Sequence, residues 1–462
     1  MTLIKSISGI RGTIGGSQND NLTPIDTVNF AAAYGTWLKN QRSKSQYKVV
    51  IGRDARISGE MIQGLVMQTL VGMGISIVDL GLSTTPTVEM AVKLEQADGG
   101  IILTASHNPK QWNALKLLNK NGEFLNADEG KEIIESVKSG NFNFAEVDDL
   151  GQIYRNSAYI DLHIEEVLQL ELVDQDAVKK ANFKVVVDAV NSTGGISIPP
   201  LLRQLGVEVV ELYCEPTGHF PHNPEPLEKH LTDLSKAIVK HNADFGLTVD
   251  PDVDRLAFMD ENGKMFGEEY TLVSVADYVL THKKGATVSN LSSSRALRDV
   301  TEAHGCKHFA SAVGEVNVVA KMKAVNAVIG GEGNGGIIDP ELHYGRDSLV
   351  GVALFLSHLA HKKMKVSELK ASYPQYFMAK EKVELTADLN VDDILNDLAE
   401  NYSDHELSTI DGVKIDFSEN WVHLRKSNTE PIIRIYTEAK TQNEANELAQ
   451  RFIKELKTIA NN

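Results

Sequence analysis

Cysteine is nearly absent. Cys214 and Cys306 are the only two in 462 residues, and neither has metal-ligand spacing. A disulfide framework is excluded for a chain of this size, and a reducing compartment is expected. Long apolar runs are also missing. No segment approaches the roughly 18 consecutive apolar residues of a membrane span, and Met1 to Gly12 has neither an apolar h-region nor a cleavage site. Basic charge is in deficit, with 46 Lys and Arg against 63 Asp and Glu, for a formal net charge of -17. Nucleic acid and anionic membrane would be repelled at long range, so neither is an expected partner. A local basic pocket for a small anionic metabolite remains compatible with that balance. The chain reads as cytoplasmic, a monomer or homodimer that handles small molecules.

What is present is a repeated α/β pattern. The length suggests roughly three or four domains. Tyr47 to Ile51 reads as a buried strand, Gly59 to Met73 as a helix, and Ile75 to Leu80 and Gly100 to Leu103 as further strands. The order recurs with Lys184 to Asp188, a helix near Pro199 to Leu205, Val207 to Leu212 and Phe245 to Val249. It recurs again with Ala286 to Leu291, a helix near Arg295 to His304, Lys307 to Phe309 and Ala327 to Gly330. Short apolar strands alternating with helices predict mixed sheets covered on both faces, with ligand loops at strand carboxyl ends. Beyond about Tyr373 the pattern becomes antiparallel: Lys382 to Leu385, Val413 to Phe417, Trp421 to Arg425 and Ile432 to Tyr436, with helices near Val391 to Ala399 and Asn443 to Ile459. The expected domains are 1–150, 151–256, 257–370 and 371–462.

In each repeat the third strand runs into a polar loop. The first is Thr104-Ala105-Ser106-His107-Asn108-Pro109, which presents a hydroxyl on a turn that proline stops from continuing as strand. On its own the segment reads better as turn or helix-cap chemistry. No Gly-x-Ser-x-Gly elbow surrounds Ser106, so a serine hydrolase does not fit. The second loop is Asp250-Pro251-Asp252-Val253-Asp254-Arg255. Carboxylates at i, i+2 and i+4 lie on one side of an extended chain and repel unless a cation such as Mg²⁺ neutralises them. An EF-hand is rejected because Arg255 sits where the turn needs glycine and strands flank the loop. The third is Gly331-Glu332-Gly333-Asn334-Gly335-Gly336, whose acid and amide suit sugar hydroxyls and which lacks the Gly-Lys-Ser/Thr of a Walker loop. A last segment, Arg425-Lys426-Ser427-Asn428-Thr429-Glu430-Pro431 with Arg434, suits a phosphate monoester or an ordinary charged hairpin equally well. Lys116, beside a metal site, would have its pKa depressed and could serve as an acid/base.

Taken in order, Gly9-Ile10-Arg11-Gly12, the Ser106 loop, Gly218-His219-Phe220-Pro221-His222-Asn223-Pro224, the Asp loop, the glycine loop and the Arg425 segment resemble the α-D-phosphohexomutase superfamily across essentially the whole chain. The resemblance implies a four-domain, heart-shaped α/β enzyme: three similar mixed α/β domains and a C-terminal α+β domain around a central cleft. It implies that Ser106 is a phosphoserine and that Mg²⁺ is held by its phosphate with Asp250, Asp252 and Asp254. Arg255 would stabilise the phosphoserine. Arg11 and Lys116 would lie near the reacting phosphate, with Lys116 a general acid/base. Glu332 and Asn334 would bind the sugar. Arg425, Ser427, Asn428, Thr429 and Arg434 would grip the distal phosphate. The implied reaction interconverts hexose 6- and 1-phosphates through a hexose 1,6-bisphosphate, which turns over while a hinged last domain retains it.

Two departures stand out. Many members of the superfamily read Gly-Glu-x-Ser-Gly-His at the sugar loop, where Asn334 replaces the serine and Gly336 the histidine; His343 is the nearby candidate substitute. The loop's form, with His343-Tyr344-Gly345-Arg346-Asp347, looks most like the archaeal-type phosphoglucosamine mutase and phosphomannomutase/phosphoglucomutase group. Glucosamine phosphate is the expected substrate and mannose or glucose phosphate the alternative. A metal-dependent sugar phosphatase would use the same serine and aspartates but let water take the phosphoryl group. A non-catalytic binding protein would need no nucleophile.

Overall fold

The computed structural model describes residues 2–6, 9–41, 44–384, 390–426 and 432–459. These fall into two units, residues 1–278 with 334–369, and residues 279–333 with 370–462.

The first unit holds two sheets. Tyr47–Arg53 lies between Gly99–Leu103 and Ile75–Leu82, all parallel, and Ile153–Arg155 adds a parallel edge beside Ile75–Leu82. On the other side Trp112–Leu118 runs antiparallel to Gly99–Leu103, followed by Gly9–Thr13. Every residue of Gly99–Leu103 is buried, which is why it reads as a continuous apolar run rather than an alternating one. Burying each of Ile101, Ile102 and Leu103 contributes about 2 kcal/mol. Thr84 caps the helix Thr85–Leu94 by accepting from Thr87 N, with proline in the first turn. The second sheet orders Leu256–Met259, Phe245–Val249, Lys184–Asp188 and Glu208–Leu212, the first strand antiparallel and the rest parallel. The residues 256–259 and 153–155 thus extend the sheets of the segments before them. The helix Ser348–Lys362 is buried from Ser348 to Ala360, and its Phe355 stacks on Phe258 with ring centroids 3.8 Å apart. That helix follows the third repeat in sequence yet belongs with the first unit.

In the second unit Ala286–Asn290 lies parallel between His308–Ser311 and Ala327–Glu332. The C-terminal sheet is antiparallel throughout: Phe377–Glu384, Ile432–Ala439, Trp421–Lys426, Val413–Asp416, Glu406–Ser408. Val391–Asn401 and Gln442–Ile459 supply Leu398 and Phe452 to its core, with Val422 and Ile433 from the strands. The hinge expected before this last domain is spanned by a buried tie. Arg295 Nη2 donates to Asp416 Oδ1 at 2.9 Å and to the Phe417 carbonyl at 2.8 Å, and Nη1 donates to the Ser418 carbonyl at 3.1 Å. Glu438 Oε1 accepts from Arg295 N at 3.0 Å and from Trp421 Nε1 at 2.7 Å. These two parts of the second unit are therefore held together by buried, charge-assisted hydrogen bonds.

Candidate active site

The Ser106 loop is held by a second loop that the sequence reading passed over. Gly52-Arg53-Asp54-Ala55-Arg56 leaves the strand Tyr47–Arg53, and Arg56 and Asp54 are both buried. Arg56 Nε donates to Asp54 Oδ2 at 2.9 Å, and its other nitrogens donate to the carbonyls of Ser106, Asn108 (2.6 Å) and Pro109 (2.8 Å). Thr104 Oγ1 donates to Asp54 Oδ2 at 2.7 Å and accepts from Ser106 N at 2.9 Å. So constrained, Ser106 takes a left-handed backbone with φ 49°. Its position at the end of an apolar strand was the available signal for Arg56; the same signal flagged the other loops.

Ser106 Oγ donates to Asp250 Oδ2 at 2.6 Å, and His107 Nδ1 lies 3.2 Å from Ser106 Oγ. Asp250, Asp252 and Asp254 are fully buried and offer carboxylate oxygens within 4.8 Å of one another. The loop carrying them is pinned along its backbone. Ser192 Oγ and Thr193 Oγ1 donate to the Pro251 carbonyl at 2.7 and 2.9 Å, Thr85 N donates to the Asp252 carbonyl at 2.9 Å, and Val253 takes φ 65°. Asp250 Oδ1 accepts from the amides of Asp254 (3.2 Å) and Arg255 (3.1 Å).

Cations surround the acids. Lys116 Nζ donates to Asp252 Oδ2 at 2.7 Å and Asp254 Oδ2 at 3.2 Å. Arg346 Nη2, a partner missed in sequence, donates to Asp254 Oδ2 at 2.7 Å, and Thr85 Oγ1 to Asp252 Oδ2 at 2.6 Å. The Asp252 Oδ1 and Asp254 Oδ1 atoms are buried without a hydrogen-bond partner. Two orphaned carboxylate oxygens beside a third acid fit a hard divalent cation.

The electrostatics follow from that crowding. Burial, then the charges of Asp254 and Asp252, push Asp250 well above the usual carboxylate range. Burial acts the same way on Asp254, but Arg346, Lys116 and Arg255 overcome it and hold its pKa low. Burial pulls Lys116 down, yet Asp252 and Asp254 outweigh it and the ammonium is raised above its ordinary value. The expected depression of Lys116 is therefore not found with the carboxylates facing it directly. His107 is kept well below the ordinary imidazole value by burial and then by Arg255, with Arg346 and Arg11 adding to it. Arg11 thus contributes to the same positive field, from the strand Gly9–Thr13, whose Gly9 pairs with Lys116.

The glycine loop and the Arg425 segment are ordered locally. Gly335 has φ +86°, and a side chain there would collide with the Leu256 backbone, whose amide donates to the Gly335 carbonyl at 3.1 Å. Asn334 Oδ1 accepts from Gly336 N at 3.2 Å. In the second unit Glu332 Oε1 accepts from Asn290 Nδ2 at 2.8 Å and Gly314 N at 3.2 Å. Arg425 and Arg434 are direct cross-strand partners. Like charges placed opposite one another destabilise a sheet, so an anion between them would be favoured. Ser427, Asn428 and Thr429 lie outside the described residues. His343 is buried among His163, Asp347 and Glu89 rather than standing in for the missing loop histidine.

Comparison with known proteins agrees along the whole chain. The four phosphoglucomutase/phosphomannomutase domain signatures match in order: alpha/beta/alpha domain I at residues 3–144, domain II at 161–263, domain III at 267–376 and the C-terminal domain at 365–455. A "Phosphoglucomutase/phosphomannomutase" of Thermococcus kodakarensis is 37% identical over 449 residues, covering 96% of this chain and 97% of its own. A "Phosphoglucosamine/phosphogalactosamine mutase" of Sulfurisphaera tokodaii is 34% identical, covering 98% and 97%. A "Probable phosphoglucosamine mutase" of Methanopyrus kandleri is 32% identical, covering 96% of each. The fold matches a phosphoglucomutase/phosphomannomutase family structure from Burkholderia thailandensis with TM-score 0.84 at 24% identity, over 98% of this chain and 96% of that one. With its four domains matched in sequence and its fold in space, the chain belongs to the phosphoglucomutase/phosphomannomutase family of the phosphohexomutase superfamily.

Proposed function

We propose that this protein is a phosphohexomutase that interconverts hexose 6- and 1-phosphates, with the glucosamine phosphates as its preferred pair. The observation carrying this reading is the Ser106 hydroxyl, buried and donating at 2.6 Å into a triad of carboxylates. The relatives named phosphoglucosamine mutase support the amino sugar. The Thermococcus relative named phosphoglucomutase/phosphomannomutase supports a second reading, with glucose and mannose phosphates as substrates.

In the proposed cycle Ser106 carries a phosphoryl group. Its P–O bond breaks as a sugar hydroxyl oxygen bonds to phosphorus, and the proton that hydroxyl gives up ends on the departing Ser106 oxygen. The resulting hexose 1,6-bisphosphate reorients, and its other phosphate ester returns a phosphoryl group to Ser106 Oγ. Mg²⁺ held by Asp250, Asp252, Asp254 and the serine phosphate would neutralise charge on the transferring group. Arg255 and Arg11 stabilise the phosphoserine, and Lys116 is suited to protonate the departing serine oxygen. Glu332 and Asn334 hold sugar hydroxyls. Arg425 and Arg434, with Ser427, Asn428 and Thr429, bind the phosphate that is not reacting.

Turnover of glucosamine, mannose and glucose phosphates, each with Mg²⁺ and a trace of its bisphosphate, tests the proposal. A strong glucosamine preference is expected. Comparable rates on mannose and glucose would move the protein to the second reading, and phosphate release without isomerisation would overturn both.

A further inference from the structure

The mechanism leaves one buried cluster unused. His163 leaves the helix Tyr159–Gln169, and His343 and Asp347 flank the start of the helix Ser348–Lys362. All three are at most 3% exposed. Asp347 Oδ2 lies 2.8 Å from His163 Nε2 and 3.3 Å from His343 Nε2, and the three residues offer ligand atoms within 4.8 Å of one another. We propose that His163, His343 and Asp347 form a second, buried metal site of the zinc class, separate from the aspartate triad.

The surroundings carry the argument further than the three ligands do. Histidines that bind a metal through one ring nitrogen ordinarily have the other held by an oxygen, which fixes tautomer and ring orientation. The His163 ring meets that condition, while His343 Nδ1 is buried without a hydrogen-bond partner. His163 Nδ1 lies 2.9 Å from Thr87 Oγ1, and His343 Nδ1 lies 3.4 Å from Glu89 Oε2. The remaining oxygen of Asp347 is engaged too, accepting from Leu349 N at 2.7 Å. Thr87 comes from the helix Thr85–Leu94, so a rigid element aims the His163 ring. Two imidazoles with a carboxylate are a donor set for Zn²⁺ or a neighbouring transition ion, whereas Mg²⁺ favours oxygen alone. A bound ion would join the segments around residues 159–169 and 343–347. It would also fix the backbone next to Arg346, whose guanidinium holds Asp254 at 2.7 Å.

The test uses the full chain, stripped with chelator and then supplied with excess Mg²⁺ to fill the aspartate triad. Titration with Co²⁺ should show one further equivalent with the visible absorption of a nitrogen-ligated ion. The equivalent should be lost in the His163→Gln/His343→Gln double variant and kept in Asp252→Asn. Thr87→Val should weaken it about 10- to 100-fold. No Mg²⁺-resistant equivalent in the wild type, or an unchanged one in the double variant, would overturn the proposal and leave a hydrogen-bonded His–Asp–His network. If the double variant does not fold, zinc-edge X-ray absorption on the wild type decides. Two imidazole scatterers support the site, and an all-oxygen shell removes it.

Discussion

At the scale of single residues, the site is built from groups that would be costly alone. Arg56 is buried and satisfied by Asp54 and by loop carbonyls. Arg56→Ala leaves the Asp54 carboxylate buried without its cation, an error of about 3–5 kcal/mol. Urea denaturation should show a loss of that order, together with loss of activity as the Ser106 loop is released. Ser106→Ala removes the proposed phosphoryl carrier while leaving that frame intact. Labelling by radioactive bisphosphate should vanish and kcat should fall by about 10³-fold or more. Wild-type-like turnover in this variant would exclude Ser106 as the carrier.

At the scale of elements, strands and loops answer for different properties. Arg425 and Arg434 face each other across antiparallel strands, a repulsion of about 0.2–1 kcal/mol in the free protein. Arg425→Ala should therefore raise KM for the sugar phosphate at least about tenfold while leaving the fold slightly more stable. His423 reports on the tie inside the second unit. Its Nε2 donates to the Asp411 carbonyl at 2.7 Å, and Nδ1 lies 2.8 Å from Ser292 Oγ. Burial, opposed by the Asp411 carbonyl, lowers its pKa to about 4. The unfolded chain, with an ordinary value near 6.5, binds the proton first. This contribution is whole above about pH 6.5 and is lost as the pH falls toward 4, on the order of 3 kcal/mol. His423→Gln should flatten that part of the pH–stability curve.

The strands that carry the proposed chemistry were legible because they are short apolar runs ending in polar loops, and Phe245–Val249 was placed residue for residue. The antiparallel C-terminal sheet was legible as a break in the repeated strand–helix order after about Tyr373. Helices such as Ser348–Lys362, buried on every side, have no polar face to set a period and went unread. In the site, the serine and the three aspartates were found because each sits in a dense local motif. Arg56, Thr85 and Arg346 were not, because each acts on a residue at least 50 positions away in sequence. Only the fold brings such pairs together.

At the scale of the molecule, two units each with its own core argue against a single cooperative unfolding event. Calorimetry should resolve two transitions, and His423→Gln should shift only the one belonging to the second unit. A single transition with equal calorimetric and van't Hoff enthalpies would contradict this.

The left-handed backbone at Ser106 bears on how such a chain drifts under mutation. Glycine adopts that conformation freely, whereas a residue with a Cβ gives up about 1–2 kcal/mol there. A lineage screened only for robustness would replace the serine with glycine and become sturdier and inert. Only a demand for turnover in every generation keeps the hydroxyl in place.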